Sequence, residues 1–184
     1  ISGISSPEYV YSPVLRKLIS EGKIQNVGSE QQYNIEKIIA LKPDAVICNY
    51  VESFENTYEI LRKNQIKVIF IDEYLEDQPL QKSKLIELFG VLIGEEELAK
   101  QKYKVIEEHY NQFKKLAKSS HSAPKVLANE MYGNQWFVPG GNSYLAQFIK
   151  DANGDYIFKD NKNNTSHPFS FEEVFVKAQN AEVW

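Results

Sequence analysis

Cysteine, histidine and long apolar runs are scarce in this sequence, and each shortage excludes a class of protein. The single cysteine, Cys48, excludes a disulfide framework and a cysteine-rich zinc module. The three histidines, His109, His121 and His167, have no second histidine or cysteine at a metal-ligand spacing, so each is expected to be structural or solvated. No apolar run reaches the roughly 18 residues of a membrane-spanning helix.

The motifs of common phosphate and hydrolase chemistry are also missing. The sequence contains no G-x-G-x-x-G after a strand, no P-loop and no G-x-S-x-G elbow. Gly140-Gly141-Asn142-Ser143 opens a predicted helix, where backbone N–H groups can hold an anion. An ordinary turn with Asn142 or Ser143 as the N-cap is the simpler interpretation. We predict no metal site and no resident cofactor.

The charge is mild and evenly distributed. There are 21 Lys and Arg residues against 25 Asp and Glu residues, which gives a formal net charge of −4. A nucleic-acid-binding protein normally has a basic face, so this balance argues against nucleic acid as a partner. With 42% hydrophobic and 25% charged residues, the composition is typical of a globular protein.

Short apolar runs alternate with stripes of helical spacing along the chain. Residues 45–48 and 68–71 are uninterrupted apolar runs flanked by turn signals, which predicts buried strands. Strands of this kind, alternating with helices, are typical of an α/β fold whose parallel sheet is covered on both faces. Helical stripes are predicted at 13–20, 35–39, 55–63, 79–92, 142–152 and 170–179, a further strand at 126–128, and a polar loop at 161–166.

One predicted helix is much longer than the others. Residues 95–118 keep helical spacing without glycine or proline, over about 36 Å, and a Ser- and Pro-containing break follows. Such a helix suits either the outside of a larger domain or a strut between two lobes. The second alternative predicts a first lobe at 1–94, a connecting helix and break at 95–120, and a second lobe at 121–184. The sequence begins and ends inside apolar runs, so both lobes are expected to be incomplete.

Two short helices have a glutamate in matching positions. Glu36 and Glu172 each follow the first apolar residue of a pattern apolar-Glu-x-apolar-apolar, and each helix leads to a predicted strand. In both helices the glutamate lies beside the apolar stripe, so we expect it to face solvent. A protein with two lobes would then display one matched carboxylate from each half.

Aromatic residues, 12% of the chain, cluster where predicted strands end. In an open α/β sheet the carboxyl ends of the strands line the binding crevice, so aromatic clusters there suit a large, partly apolar ligand. Core packing explains any single cluster equally well. These clusters contain Tyr9, Tyr11, Asn49, Tyr50, Phe54, Tyr74, Met131, Tyr132, Trp136 and Phe137. The carboxylates Asp72, Glu73 and Glu76 also follow a strand, which keeps open a small α/β enzyme with a site near Asp72-Glu73.

The stretch from Val27 to Ile47 closely resembles a signature of the periplasmic substrate-binding proteins. These are receptors of ABC importers for iron–siderophore complexes, haem and cobalamin. Segments 61–68 and 88–94, followed by the long helix, resemble the same family in the same order. Segments 140–143, 152–157 and 170–174 resemble its second lobe. The histidine-rich set of the zinc- and manganese-binding relatives is absent, which argues against a receptor for bare metal ions.

The resemblance implies a non-enzymatic receptor with two Rossmann-like lobes, parallel sheets and a long interlobe helix. It would enclose a metal chelate between the lobes with limited lobe movement. Glu36 and Glu172 would dock onto arginines of an ABC permease, which works with an ATPase. The location would be the periplasm or the outer face of the cell envelope, with membrane contact at most through a lipid anchor upstream. The implied ligand contacts are Tyr9, Tyr11, Asn49, Tyr50, Glu73, Tyr74, Tyr132, Trp136 and His167.

Overall fold

The computed structural model describes residues 1–29 and 31–184, which form two compact units, Ile1–Asp72 and Glu73–Trp184. Both units combine α-helices with parallel strand pairs, and the second contains a helix of 23 residues. The predicted α/β fold is therefore confirmed. The first unit ends at Asp72, so the helices between residues 79 and 118 belong to the second. The lobe ranges 1–94, 95–120 and 121–184 stay a prediction.

The first unit is built from two parallel strand pairs and three helices. Its elements are β1 (Gly3–Ile4), α1 (Pro13–Ser20), β2 (Gln25–Asn26), α2 (Ile35–Leu41), β3 (Ala45–Cys48), α3 (Glu55–Lys63) and β4 (Lys67–Phe70). β1 pairs with β2, and β3 pairs with β4 in a register that opposes Ala45 to Lys67 and Cys48 to Phe70. Short 3-10 helices at Pro7–Tyr9 and Glu52–Phe54 follow β1 and β3.

Local sequence signals fix the helices of this unit. The Asn34 side chain caps α2 by accepting a 2.9 Å hydrogen bond from the Lys37 N–H, and α2 ends at Lys42 in the left-handed conformation. Ile38 on α2, Leu61 on α3 and Ile66 form the buried core. The apolar stripes of both helices therefore pack against the strands, as the helical spacing predicts.

The second unit begins with a long helical pair. Its elements are α4 (Pro79–Ile93), α5 (Glu96–Lys118), β5 (Lys125–Val126), β6 (Met131–Tyr132), β7 (Gln135–Val138), α6 (Tyr144–Asp151), β8 (Asp155–Tyr156), β9 (His167–Phe169) and α7 (Phe171–Ala178). α4 ends at Gly94, whose φ of 73° is left-handed, and α5 then packs back against it. Gly90 is buried at this crossing, where an added Cβ would overlap Ala99.

β5 and β8 pair in parallel, and Val183 forms a further parallel bridge to Val126. The core beneath them contains Val138, Val174 and Phe158, all almost fully buried.

Part of the second unit differs from the predicted pattern. β6, β7 and β9 form an antiparallel three-stranded sheet, whereas the sequence predicted only parallel strands and a polar loop before α7. In β7 the side chains alternate, with Trp136 and Val138 buried and Gln135 and Phe137 exposed. This alternation is typical of a sheet with one buried face. β6 and β9 have only two and three residues, too few for the alternation to be recognised in the sequence.

No helix within the described part of the chain combines the length and apolar character needed to cross a bilayer.

Candidate functional site

In the first unit, the loops that follow β3 and β4 are fastened to each other. The Asn49 side-chain amide donates a 2.8 Å hydrogen bond to the carbonyl oxygen of Ile71. The Tyr50 N–H donates a bond of the same length to the Asp72 carboxylate. Asp72 therefore serves as the acceptor that fixes the Tyr50 loop. Two of the predicted ligand contacts, Asn49 and Tyr50, are held at the carboxyl end of this strand pair.

An aromatic cluster of Tyr50, Tyr58 and Phe70 packs beneath the loop that follows β3. The rings of Tyr50 and Phe70 meet edge to face with centroids 5.3 Å apart, and those of Tyr58 and Phe70 do so at 4.9 Å. The buried Tyr58 hydroxyl accepts a hydrogen bond from the Val51 N–H and donates one to the Asn49 carbonyl. Burial raises the pKa of Tyr58, so its hydroxyl stays protonated and able to donate. Tyr50 is 43% exposed and presents the outer ring of the cluster.

Tyr9 and Tyr11 lie in the loop after β1 and are among the most exposed side chains of the unit. The loop starts at Ser6, whose φ is 45° and whose N–H donates a 2.9 Å hydrogen bond to the Gly28 carbonyl. Gly28 has a φ of 114°, where an added Cβ would strike the Gln32 carbonyl. A glycine is therefore required beside this tyrosine loop.

Glu73 and Tyr74 open the second unit in a short 3-10 helix, Glu73–Leu75. The Tyr74 side chain is exposed and the Glu73 side chain is half-buried.

A second aromatic group surrounds an open depression of about 490 Å³ in the second unit. Tyr132 on β6 is 83% exposed there and Trp184 is 78% exposed. Asn129, Glu130 and Phe137 complete the lining. The surface combines three rings with one carboxylate and one amide.

The two tryptophans of this group have different environments. Trp136 is buried, and its indole N–H donates a 3.2 Å hydrogen bond to the Ala128 carbonyl. Trp184 packs against it with ring centroids 6.0 Å apart, and its own indole N–H donates a 2.7 Å bond to the Asn129 carbonyl. Trp136 was among the ligand contacts predicted from the sequence, and Trp184 was not. The apolar run at 181–184 was a usable signal, because Val183 continues the parallel strand arrangement beside β5.

His167 does not lie in a loop, as the sequence predicted. It is the first residue of β9, where it faces Val138 across the sheet, and Pro168 is tolerated because β9 is an edge strand. Its Nε2 atom is buried and has no hydrogen-bond partner among the described residues. Its role as a ligand contact stays a prediction.

The glycine pair before α6 has a structural role. The N–H groups of Gly140, Gly141 and Asn142 donate to the carbonyls of residues 165, 161 and 163, respectively. The Ser143 side chain caps α6 by accepting from the Ala146 N–H at 3.2 Å. The backbone donors are occupied by the neighbouring loop, and the turn interpretation with Ser143 as the N-cap is confirmed.

Glu36 and Glu172 are both exposed in the first turn of their helices, as their pattern predicted. α7 starts with a capping box in which Ser170 and Glu173 bond each other's backbone N–H groups. The neighbouring Glu172 takes no part in that box and its carboxylate is on the surface.

No group of three or more histidine, cysteine, aspartate or glutamate side chains within residues 1–29 and 31–184 is placed to hold a metal ion.

Comparison with known proteins agrees with this arrangement. Residues 2–184 match the family described as "Periplasmic binding protein". The chain belongs to the periplasmic binding protein family. The resemblance found in the sequence is therefore confirmed, and the family is one of solute-binding proteins.

The proteins similar in sequence to this chain include an uncharacterized lipoprotein of Methanocaldococcus jannaschii. It is 30% identical over 179 residues, which cover 95% of this chain and 42% of the relative. The chain spans about half the length of the archaeal relatives it matches, between 42% and 54%.

Solved structures of the family share the fold. The siderophore-binding protein FhuD of Vibrio cholerae, bound to Fe3+–Desferal, superposes with a TM-score of 0.67 at 18% identity, covering 88% of this chain and 61% of that protein. The periplasmic heme-binding protein RhuT of Roseiflexus sp. RS-1 superposes with a TM-score of 0.66 at 22% identity, covering 95% and 64%, respectively.

Proposed function

We propose that this periplasmic binding protein is the solute receptor of an ABC importer and that its ligand is an iron–siderophore, haem or cobalamin-type chelate. The receptor binds the chelate without chemical change and delivers it to a membrane permease driven by an ATPase. Exposed aromatic rings on loops at strand ends are the observation that carries this proposal.

Exposed tyrosine and tryptophan rings in such numbers need a physical reason. Single exposed rings are common on protein surfaces, whereas a group of exposed rings in one patch is typical of a site that a ligand or partner covers. Tyr132 and Trp184 line a depression that also offers polar atoms from Asn129 and Glu130. Metal chelates have the same mixed character, with apolar rings or methylene chains and polar donor groups at their edges.

The relatives support the same ligand class. FhuD is described as a siderophore-binding protein and RhuT as a heme-binding protein. The M. jannaschii lipoprotein supports a location at the cell envelope, on the outer face of the membrane.

The test is a binding panel on the purified protein. Isothermal calorimetry with haemin, cyanocobalamin and ferric desferrioxamine is expected to give stoichiometric binding of at least one, and chromatography of the bound compound is expected to return it unchanged. Metal-free desferrioxamine is the control for the chelated state. Failure of all three chelates to bind contradicts the proposal, as does conversion of a bound compound, which would support an enzyme near Asp72-Glu73 instead.

A matched pair of variants tests whether the aromatic depression of the second unit binds the ligand. Tyr132→Ala removes an exposed ring at the depression and is expected to weaken binding about tenfold. Phe113→Ala removes an exposed ring on α5 and is expected to leave binding unchanged. Equal effects of the two variants would contradict a role for the depression.

A further inference from the structure

The polar loop between β8 and β9 contains the sequence signal for N-linked glycosylation. This signal, Asn-x-Ser/Thr with any residue except proline in the middle, occurs twice in the chain, at Asn163-Asn164-Thr165 and at Asn164-Thr165-Ser166. The two motifs overlap, and all four of their residues are exposed and lie outside helices and strands. A motif of three residues arises by chance in many chains, so its surroundings decide whether it can be used.

Gly140 and Asn142 hold this loop in place. Their N–H groups donate hydrogen bonds to the carbonyls of Thr165 and Asn163, at 3.1 and 3.0 Å, respectively. A Cβ at Gly140 would clash with both of these carbonyl oxygens, so the loop can approach so closely only because residue 140 is glycine. Asn164 therefore lies at a bend between two carbonyls that are fixed to the body of the unit.

The two asparagines differ in what their side-chain amides bind. The Asn163 amide donates a 2.7 Å hydrogen bond to the side-chain oxygen of Asn161, which also accepts from the Asn163 backbone N–H at 3.1 Å. The exposed Asn164 amide has no hydrogen-bond partner among residues 1–29 and 31–184. Attachment of a glycan to Asn163 would disturb the bond to Asn161, whereas attachment to Asn164 disturbs no contact of the described residues.

A glycan also needs open space around the asparagine. It is bulky and strongly hydrated, and it is accommodated on a surface loop, where its attachment buries no polar group. Asn164 meets this condition, because both of its neighbours, Asn163 and Thr165, are exposed as well. The hydroxyl of Ser166, the other residue that the motif requires, is on the same surface.

We propose that Asn164 is a site of N-linked glycosylation. The donor is a lipid-linked oligosaccharide, whose first sugar is joined through its C1 atom to the phosphate of a membrane lipid, and the catalyst is a membrane-bound oligosaccharyltransferase. The Asn164 amide nitrogen forms a bond to C1, and the bond from C1 to the phosphate oxygen breaks. The lipid phosphate leaves with the bonding electron pair, and the amide gives up one proton to a base of the enzyme. This inference rests on the proposed location at the outer face of the cell envelope, where the transfer takes place.

The test is mass spectrometry of the protein isolated from the envelope fraction of the cells that produce it. Trypsin cleaves after Lys162 and Lys177, which releases residues 163–177 as one peptide that contains both motifs. This peptide is expected to carry the mass of a glycan. Electron-transfer fragmentation between residues 163 and 164 is expected to place that mass on Asn164.

Two hydroxyl variants, produced in the same cells, separate the overlapping motifs without changing either asparagine. Ser166→Ala destroys the motif of Asn164 and leaves that of Asn163, and it is expected to lose the glycan. Thr165→Ala destroys the motif of Asn163 and leaves that of Asn164, so it is expected to keep the glycan. Both side chains are exposed, so neither variant should lose its fold, and thermal unfolding checks this.

The outcomes separate this site from the proposed location. An unmodified peptide from protein in the envelope fraction overturns the glycosylation site and leaves the location of the receptor standing. A glycan that persists in Ser166→Ala, or that is lost in Thr165→Ala, overturns the assignment to Asn164. Protein found only in the cytosolic fraction overturns the location and the glycosylation site together.

Discussion

The hydroxyl of Tyr110 on α5 donates a 2.6 Å hydrogen bond to the carboxylate of Asp151 at the end of α6. One turn further along α5, the Lys114 ammonium lies 2.8 Å from the other carboxylate oxygen, to which Gln147 also donates at 3.0 Å. Asp151 is buried, so its charge is fully compensated by these three groups. The long helix is thereby fastened to the middle of the second unit by a polar contact, in addition to its packing on α4.

Removal of the Asp151 carboxylate should therefore destabilise the protein. Asp151→Ala leaves the Tyr110 hydroxyl without its acceptor and the partly buried Lys114 ammonium without its counter-charge, which is expected to cost about 2–3 kcal/mol of unfolding free energy. Urea denaturation measures this loss. Glu97→Ala is the matched control, because Glu97 pairs with Lys100 at 2.8 Å on an exposed surface of the same helix. Its expected cost is under about 0.5 kcal/mol, and equal losses in the two variants would contradict the assignment.

The same contact predicts a dependence of stability on pH. Burial acts to raise the pKa of Asp151, but the hydrogen bonds from Lys114, Tyr110 and Gln147 outweigh it and hold the pKa below its ordinary value of 3.8. A carboxyl with a lowered folded-state pKa contributes stability that is present above its unfolded pKa. That contribution disappears as the pH falls through the folded pKa.

The difference in unfolding free energy between wild type and Asp151→Asn should therefore be constant from pH 7 to pH 5 and shrink below pH 4. Urea titrations at pH 7, 5 and 3 measure it, and the subtraction cancels the carboxyls that the two proteins share. A difference that grows toward low pH would show that the sign of the linkage is wrong.

Gly141 predicts a position-specific effect on stability. A Cβ at this residue would overlap the carbonyl oxygens of Lys159 and Asn161, which belong to the backbone and cannot rotate away. Gly141→Ala is expected to cost about 3 kcal/mol, since the 159–165 loop must move and give up its hydrogen bonds to the glycine pair. Gly133→Ala is the control: this glycine has a φ of 63° and open space around it, so about 1 kcal/mol is expected from backbone strain alone. Thermal or urea unfolding gives both values, and a neutral Gly141→Ala would refute the close approach.

Helices were the part of the fold that the sequence predicted best. The stripes at 13–20 and 55–63 coincide with α1 and α3, because a capping residue or turn and a periodic apolar face together fix such short elements. The sheet of β6, β7 and β9 was not predicted. Its strands are short, and the pairing of β9 with β7 joins residues about 30 positions apart, whereas β6 and β7 pair locally across the turn at Gly133 and Asn134. Long-range pairing leaves no local signal of the kind that a helix gives.

The sequence predicted where aromatic residues cluster along the chain, but not which of these side chains are exposed and which are buried. Tyr50 and Tyr132 were named because they follow predicted strands, and both are exposed. Trp136 was named for the same reason but is buried, because it belongs to the alternating pattern of β7. Trp184, which lies beside it, was missed although the apolar run at 181–184 marks its segment, because spacing does not reveal the hydrogen bond that its indole donates to the Asn129 carbonyl.

The matched glutamates Glu36 and Glu172 make the last prediction. Both carboxylates are exposed in the first turn of helices capped by a side chain, Asn34 in α2 and Ser170 in α7, so their positions are fixed by rigid elements. If they dock on arginines of the permease, the double variant Glu36→Ala with Glu172→Ala should weaken receptor-stimulated ATP hydrolysis by the reconstituted transporter about tenfold. Each single variant should show a smaller loss.

The matched control for docking removes exposed glutamates from other helices. Glu59 on α3 and Glu108 on α5 are surface residues, and Glu59→Ala with Glu108→Ala changes the net charge by the same amount. Chelate affinity should be unchanged in both double variants, because neither removes an aromatic side chain or a predicted ligand contact. A loss of stimulated ATP hydrolysis that is equal in the two would indicate a general effect of charge, whereas a loss confined to Glu36 and Glu172 requires specific recognition of these two carboxylates.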